Sequence, residues 1–218
     1  MFITLEGPEG SGKTSQLALL VEFLRQRGYP VLATREPGGT QIGDQIRGIL
    51  SDMANQEMRP RTELLLFQAS RAQLVEQVIW PHLQEGGIVL CDRYADSTLA
   101  YQGYGHQTFP LDQVQAIINF ATGGLKPDLT ILLDVDVKAG LQRRAQGGDW
   151  NRLDAYQLEF HQRVRQGYLQ MAQTEPQRWV VIDASLEMEV VQGEIREVVV
   201  RAVNGFGERI PWIGQRDD

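Results

Sequence analysis

Eight residues near the start of the chain, Gly7-Pro8-Glu9-Gly10-Ser11-Gly12-Lys13-Thr14, constrain the fold more than any other feature. A glycine, four residues and Gly-Lys-Thr make the P-loop pattern. An apolar run over 2–6 precedes it, and a helix-period segment with Leu17, Leu20, Val21 and Leu24 on one face follows it, ending at Gly28 where a C-terminal cap belongs. In that strand, loop and helix setting, backbone N–H groups and the positive helix end converge on one phosphate. Lys13 is then placed to reach the transferring phosphate, and the Thr14 hydroxyl to hold Mg²⁺. The motif alone leaves open a switch GTPase, a motor or transporter ATPase, and a small-molecule kinase.

Apolar runs over 2–6, 31–34, 88–91, 129–134 and 179–182 alternate with helical periodicity over 40–53, 62–84, 111–121, 137–146, 153–173 and 188–203. Alternation of this kind predicts an α/β P-loop NTPase fold, a five-stranded, mainly parallel sheet flanked by helices. At 218 residues with no break in composition, one domain over 1–204 is expected, with 205–218 as a loose tail. Leu153, Tyr156, Phe160, Val164 and Met171 read as core or interface.

A guanine-reading Asn-Lys-x-Asp segment is missing: its nearest approach, Leu125-Lys126-Pro127-Asp128, lacks the leading polar residue, which disfavours a switch. Asp92 follows the strand ending at Cys91, so its carboxylate falls at the carboxyl edge of the sheet, where ligands bind in open α/β folds; it is a candidate for the outer Mg²⁺ shell. The net charge of −7 disfavours a nucleic-acid surface, which needs a broad basic field. Anionic ligands must therefore be handled locally, and 18 of the 21 basic residues are arginines, whose fork matches phosphate oxygens in pairs. No apolar run approaches the roughly 20 residues of a membrane span. The opening residues carry no secretory pattern, so a cytoplasmic address is expected. Cys91 reads as a small hydrophobe, and His82, His106 and His161, which share no metal-ligand spacing, as structural.

These segments together resemble the bacterial thymidylate kinases over nearly the whole chain. The matching pieces are Leu5-Glu6-Gly7 into the P-loop, Thr34-Arg35-Glu36-Pro37-Gly38-Gly39-Thr40, Ser70-Arg71-Ala72-Gln73-Leu74, Asp92-Arg93-Tyr94, Ser97-Thr98-Leu99-Ala100-Tyr101-Gln102-Gly103, and Lys126-Pro127-Asp128-Leu129-Thr130. The resemblance implies transfer of the terminal phosphate of ATP to dTMP, giving dTDP for dTTP synthesis, with Mg²⁺ and in a homodimer. It implies that Glu9 binds the sugar 3′-hydroxyl, that Arg47 and Arg93 grip the monophosphate, and that Phe67 and Arg71, four apart on one helix, stack on thymine and bond its carbonyl. Ser97 and Gln102 then lie near the base edge, and Tyr101 crowds the 2′ position.

The resemblance also marks 143–152 as a mobile lid over ATP, with Gly147-Gly148 as its flexible break and with Arg144 and Arg152, backed by Arg143, as the arginines that stabilise the transferring phosphoryl group. In the human type that arginine stands in the P-loop, at the position that is Gly10 here. By themselves the residues also allow a kinase for another monophosphate or for a nucleoside, or a module that binds ATP without transferring phosphate; Glu9, Asp92 and the arginine set weigh against the module.

Overall fold

A computed structural model of the protein describes residues 1–147 and 150–207. Five strands, β1 (Phe2–Glu6), β2 (Val31–Arg35), β3 (Ile88–Asp92), β4 (Leu129–Asp134) and β5 (Trp179–Asp183), form one sheet in the order β2-β3-β1-β4-β5, every pair parallel. A parallel sheet is covered on both faces, and side chains alternate between those faces along each strand. Ile3, Leu5, Leu90, Ile131 and Leu133 face one core, with α1 (Lys13–Arg25) and α9 (Met188–Gly207). Phe2, Val89, Cys91 and Leu132 face the other side. That side is closed by α3 (Pro60–Leu74, preceded by α2, Gln41–Ser51), by its continuation through a wide π-type turn into α4 (Trp80–Gln84), and by α8 (Leu158–Thr174). Cys91 is buried there as expected, its thiol donating to the Arg93 carbonyl (2.9 Å).

Three strands run one residue past the expected end because the ladder continues: Arg35 pairs with Asp92, and Asp134 with Asp183. Those polar termini gather at the carboxyl edge on either side of β1. The first helix closes as its sequence predicts. Gly28, at φ +81°, lets the Gly28 N–H return to Arg25 and the Tyr29 N–H to Leu24.

Two elements depart from the periodicity. Residues 95–105 fold as a short helix α5 (Ala95–Thr98) running into a π-helical stretch (Leu99–Gly105), where no helix is expected. Glycines make the close approach possible: a Cβ on Gly105 would stand 2.7 Å from the Phe160 ring. Helix α8 begins at Leu158 rather than at 153, because 151–156 is a turn held by its own polar side chains. Between them, α6 (Leu111–Thr122) and α7 (Val137–Gln146) match expectation. Gly148 and Asp149 of the expected lid, and 208–218 of the expected tail, lie outside the described residues; the remainder of the tail, from 205 to 207, continues α9.

Candidate active site

The carboxyl edge of the sheet opens into a cavity of about 970 Å³, walled by the P-loop, β2, α2, α3, the π-helical stretch and the end of α7. The loop's conformation depends on glycine. Gly7 and Gly10 have φ of +148° and +68°, and a Cβ on either would run into the backbone carbonyl of Leu133 or Gly140. Gly12, at φ +85°, caps α1 and points the helix start at the cavity. The Lys13 ammonium is folded back on the loop, donating to the carbonyls of Gly7 (3.1 Å) and Pro8 (2.8 Å) and to Ser11 Oγ (3.1 Å). Burial, with the nearby Arg93 charge, lowers its pKa to about 8, against the pull of Glu9 and Asp92.

The Thr14 hydroxyl donates to Asp92 Oδ2 (2.6 Å), so a P-loop hydroxyl and a strand-end carboxylate meet in the cavity wall. Two hard oxygens in that position fit Mg²⁺, which is held by one or two protein oxygens together with substrate phosphates. No cluster of three or more His, Cys, Asp or Glu capable of caging a metal occurs among the described residues.

Glu9 ties the P-loop to the end of β3 and to the π-helical stretch. Its Oε1 accepts from Arg93 Nη2 (2.9 Å) and from the Tyr101 hydroxyl (2.7 Å). Burial alone would raise its pKa, but Arg93, Lys13 and the Tyr101 bond outweigh burial and hold it at about 2, so a full negative charge stands beside the phosphate loop. Arg93 sits at φ +69°, a conformation that costs a non-glycine residue about 1–3 kcal/mol and turns its side chain inward. Its guanidinium also reaches the Gly7 carbonyl (3.0 Å), Ser97 Oγ (3.3 Å) and Tyr168 Oη (3.1 Å).

Behind this cluster lies Glu6, which motif reading uses only as part of a segment. It accepts from the Tyr94 N–H, from Ser97 and from Tyr168, and burial, with Asp96 nearby, pushes its pKa up to about 7. A carboxylate closing a strand whose residues are all buried is the signal that could have singled it out.

The cavity wall also includes Arg47, Phe67, Arg71, Ser97, Tyr101 and Gln102, so the expected acceptor residues converge from α2, α3, α5 and the π-helical stretch. Arg47 donates to the Pro37 carbonyl (3.1 Å), and half-buried Phe67 presents its ring to the cavity. Arg71 differs from the expected fork on a base edge. All five of its N–H groups are committed to the protein: two to Glu36 Oε2, two to Gln68 and Thr98, and one to the Tyr94 carbonyl. It lies in the cavity wall, but it can bond a ligand only by exchanging or sharing one of these partners.

The expected lid arginines separate. Arg143 and Arg144 line the cavity, Arg143 donating to the Ala184 carbonyl (2.9 Å) and Arg144 Nε to Asp154 Oδ2 (3.1 Å). Arg152 does not match the role expected of it. It is turned away from the cavity and buried, donating to the Leu50 carbonyl (2.9 Å), to Tyr156 Oη (2.9 Å) and to Glu63 Oε2 (2.6 Å). The buried Glu63 carboxylate fixes it there, and no sequence spacing signals a partner 89 residues away.

Comparison with known proteins shows the family of the chain. The family model described as thymidylate kinase matches residues 5–195. The chain is 51% identical over 211 residues to the thymidylate kinase of Roseiflexus sp. (strain RS-1), the match covering 91% of this chain and 93% of that protein. It is 52% identical over 195 residues to that of Deinococcus radiodurans, covering 89% and 94%. Among solved structures, a crystal structure of thymidylate kinase from Ehrlichia chaffeensis superposes with a TM-score of 0.75 at 35% identity, covering 92% of this chain and 98% of that one.

Proposed function

The chain belongs to the thymidylate kinase family, an enzyme that phosphorylates dTMP to dTDP with ATP in dTTP synthesis, and on that premise we propose how its residues divide the work. Transfer requires a phosphate oxygen of dTMP to bond the γ-phosphorus of ATP as the bond from that phosphorus to the bridging oxygen breaks, leaving ADP. A phosphate monoester is already largely ionised at neutral pH, so the protein supplies position and charge rather than a base.

The donor half is the P-loop. Gly7, Pro8, Glu9, Gly10, Ser11 and Gly12 shape the backbone cradle, and Lys13 exchanges its bonds to the loop carbonyls for phosphate oxygens. Thr14 and Asp92 would hold Mg²⁺, which when bound neutralises phosphate charge. Arg143 and Arg144, at the end of α7, offset the charge of the transferring group. The acceptor half begins at Glu9, which takes the sugar 3′-hydroxyl while Tyr101 closes the 2′ side. Arg93 and Arg47 grip the monophosphate, and Phe67, Arg71, Ser97 and Gln102 frame thymine. The observation that carries this reading is the clamped Glu9. A charged carboxylate within a phosphate loop repels the donor unless it serves the acceptor, and Arg93 and Tyr101 hold it facing the acceptor side.

We read residues 1–204 as one kinase domain that works in the cytoplasm as a homodimer on small nucleotides, with no nucleic-acid partner. Supporting this are the net charge of −7, the absence among the described residues of a helix able to cross a membrane, and exposed apolar side chains such as Leu65 and Phe120 available to a second subunit. The test is to incubate purified protein with ATP, Mg²⁺ and each nucleoside monophosphate and to separate the nucleotide products. dTDP as the dominant product is expected. ADP without a diphosphate product from any acceptor would refute the acceptor assignment.

A further inference from the structure

Glu63 is a fully buried carboxylate on α3, one helical turn before Phe67 and two before Arg71 on the same face. Its Oε1 accepts from Gln102 Nε2 (2.8 Å) and lies 2.9 Å from His106 Nε2, both on or beside the π-helical stretch. Its Oε2 accepts from Arg152 Nη2 (2.6 Å) and the Tyr156 hydroxyl (2.8 Å), both on the turn between α7 and α8. Arg152 is held from a third side, its Nε donating to the Leu50 carbonyl (2.9 Å) and its N–H to that of Ser51 (3.2 Å), at the end of the helix that carries Arg47. Two residues on, Asp154 Oδ2 accepts from Arg144 Nε (3.1 Å) and the Asn151 N–H (3.0 Å), and Arg144 stands in the cavity wall at the end of α7.

We infer that Glu63 and Arg152 are positioning residues that couple the acceptor half of the cavity to the donor half. The pair fixes the turn 151–156 to the helices that carry Arg47, Phe67 and Gln102, and that turn, through Asp154, sets where Arg144 stands. A shift of α3 or of the π-helical stretch on binding an acceptor is carried to Arg144, because the buried Glu63 carboxylate cannot release Arg152 without leaving a charge uncompensated. Neither residue touches substrate; each acts through others. The inference rests on the assignment above of dTMP to the Phe67 side and ATP to the P-loop.

A merely structural ion pair would change stability and nothing else, whereas a coupling pair changes how each ligand affects the other. Calorimetric titration of the full chain with dTMP, with and without a non-hydrolysable ATP analogue, measures this directly. In the unaltered chain each ligand is expected to tighten the other by the same factor, within the roughly 5–150-fold span of linked sites. In Arg152→Ala the factor should fall to within about twofold of unity while affinity for the analogue alone moves by less than about threefold. Arg152→Lys, which keeps the charge but not the fork, and Tyr156→Phe, which removes one bond to Glu63, should give intermediate factors. Tyr156→Phe carries the test if Arg152→Ala fails to fold. Variants that retain the full factor, or an unaltered chain that binds both ligands without mutual effect, would overturn the coupling and leave the substrate assignment standing. An unaltered chain that does not bind dTMP would overturn both.

Discussion

Lys13 has two environments to choose between, the carbonyls of its own loop and the phosphates it faces, and its protonation decides whether it can choose. With burial and Arg93 lowering its pKa to about 8, the free enzyme loses the ammonium as pH rises through that value. The charged form binds phosphate, so affinity for an ATP analogue should be flat below about pH 7 and fall by up to about tenfold per unit above pH 8, a one-proton linkage. Calorimetric titration across pH 6.5–9.5 checks it, and an affinity level to pH 9.5 would contradict it. Arg71 lends itself to a different test. Truncation to Ala leaves the buried Glu36 carboxylate without its counter-charge, which costs about 3–5 kcal/mol in denaturant unfolding. A loss under about 1 kcal/mol would show that Glu36 is neutralised some other way. Residue by residue, the motifs reveal what faces the cavity and conceal what holds it. Lys13, Thr14 and Asp92 stand out because they belong to the P-loop motif or follow a strand end, whereas Glu9 and Arg93 take their expected roles from the family resemblance. Glu36, Glu63 and Tyr168 do not stand out, because their roles come from partners 35 to 162 residues away.

The same division holds for whole elements. The central strands β1, β3 and β4 are readable as apolar runs because they are covered on both faces, and the partly exposed edge strands β2 and β5 because their runs at 31–33 and 179–182 stay apolar all the same. The run 95–105 is not readable: Ser97, Thr98, Gly103 and Gly105 all lower helix propensity, and a π-helical turn has no 3.6-residue period to detect. Tertiary packing overrides that propensity. Tyr101 and Phe160 meet edge to face (6.1 Å between ring centroids), and Gly105 admits the Phe160 ring where any side chain would collide. Gly105→Ala should therefore destabilise the fold by about 1–3 kcal/mol through overpacking and reduce dTMP turnover with it, since Tyr101 and Gln102 ride on the same stretch. Thermal unfolding alongside a dTMP assay tests this, and a variant as stable as the parent would mean that Phe160 yields without strain. The turn 151–156 conceals its role in another way. Arg152 reads in sequence as a lid arginine for the transferring phosphoryl group, and only the fold shows it buried against Glu63.

At the scale of the molecule, the strand order places β1 between β3 and β4, so the P-loop, Asp92 and the end of β4 converge at one sheet edge while α2, α3 and the π-helical stretch arch over it. The proposed donor and acceptor sites would then lie on opposite sides of one loop, in the middle of which Glu9 is the only acidic side chain of the P-loop motif. On the proposed assignment, charge grips the phosphates and sugar, while thymine differs from uracil by a single methyl group set against the apolar part of the wall, to which Phe67 belongs. One methyl in such a wall is worth about 1–3 kcal/mol, or roughly 10–200-fold in kcat/KM. Deoxyuridine monophosphate should consequently be phosphorylated at a measurable rate reduced by that factor, with the effect shared between KM and kcat. Phe67→Ala should narrow the gap, because it removes the ring against which thymine packs. If deoxyuridine monophosphate were inert while dTMP turned over fully, the methyl could not be read by packing alone. A polar group that misaligns without it would then have to set selectivity, and Arg71, with every N–H engaged in the protein, would be the first residue to re-examine.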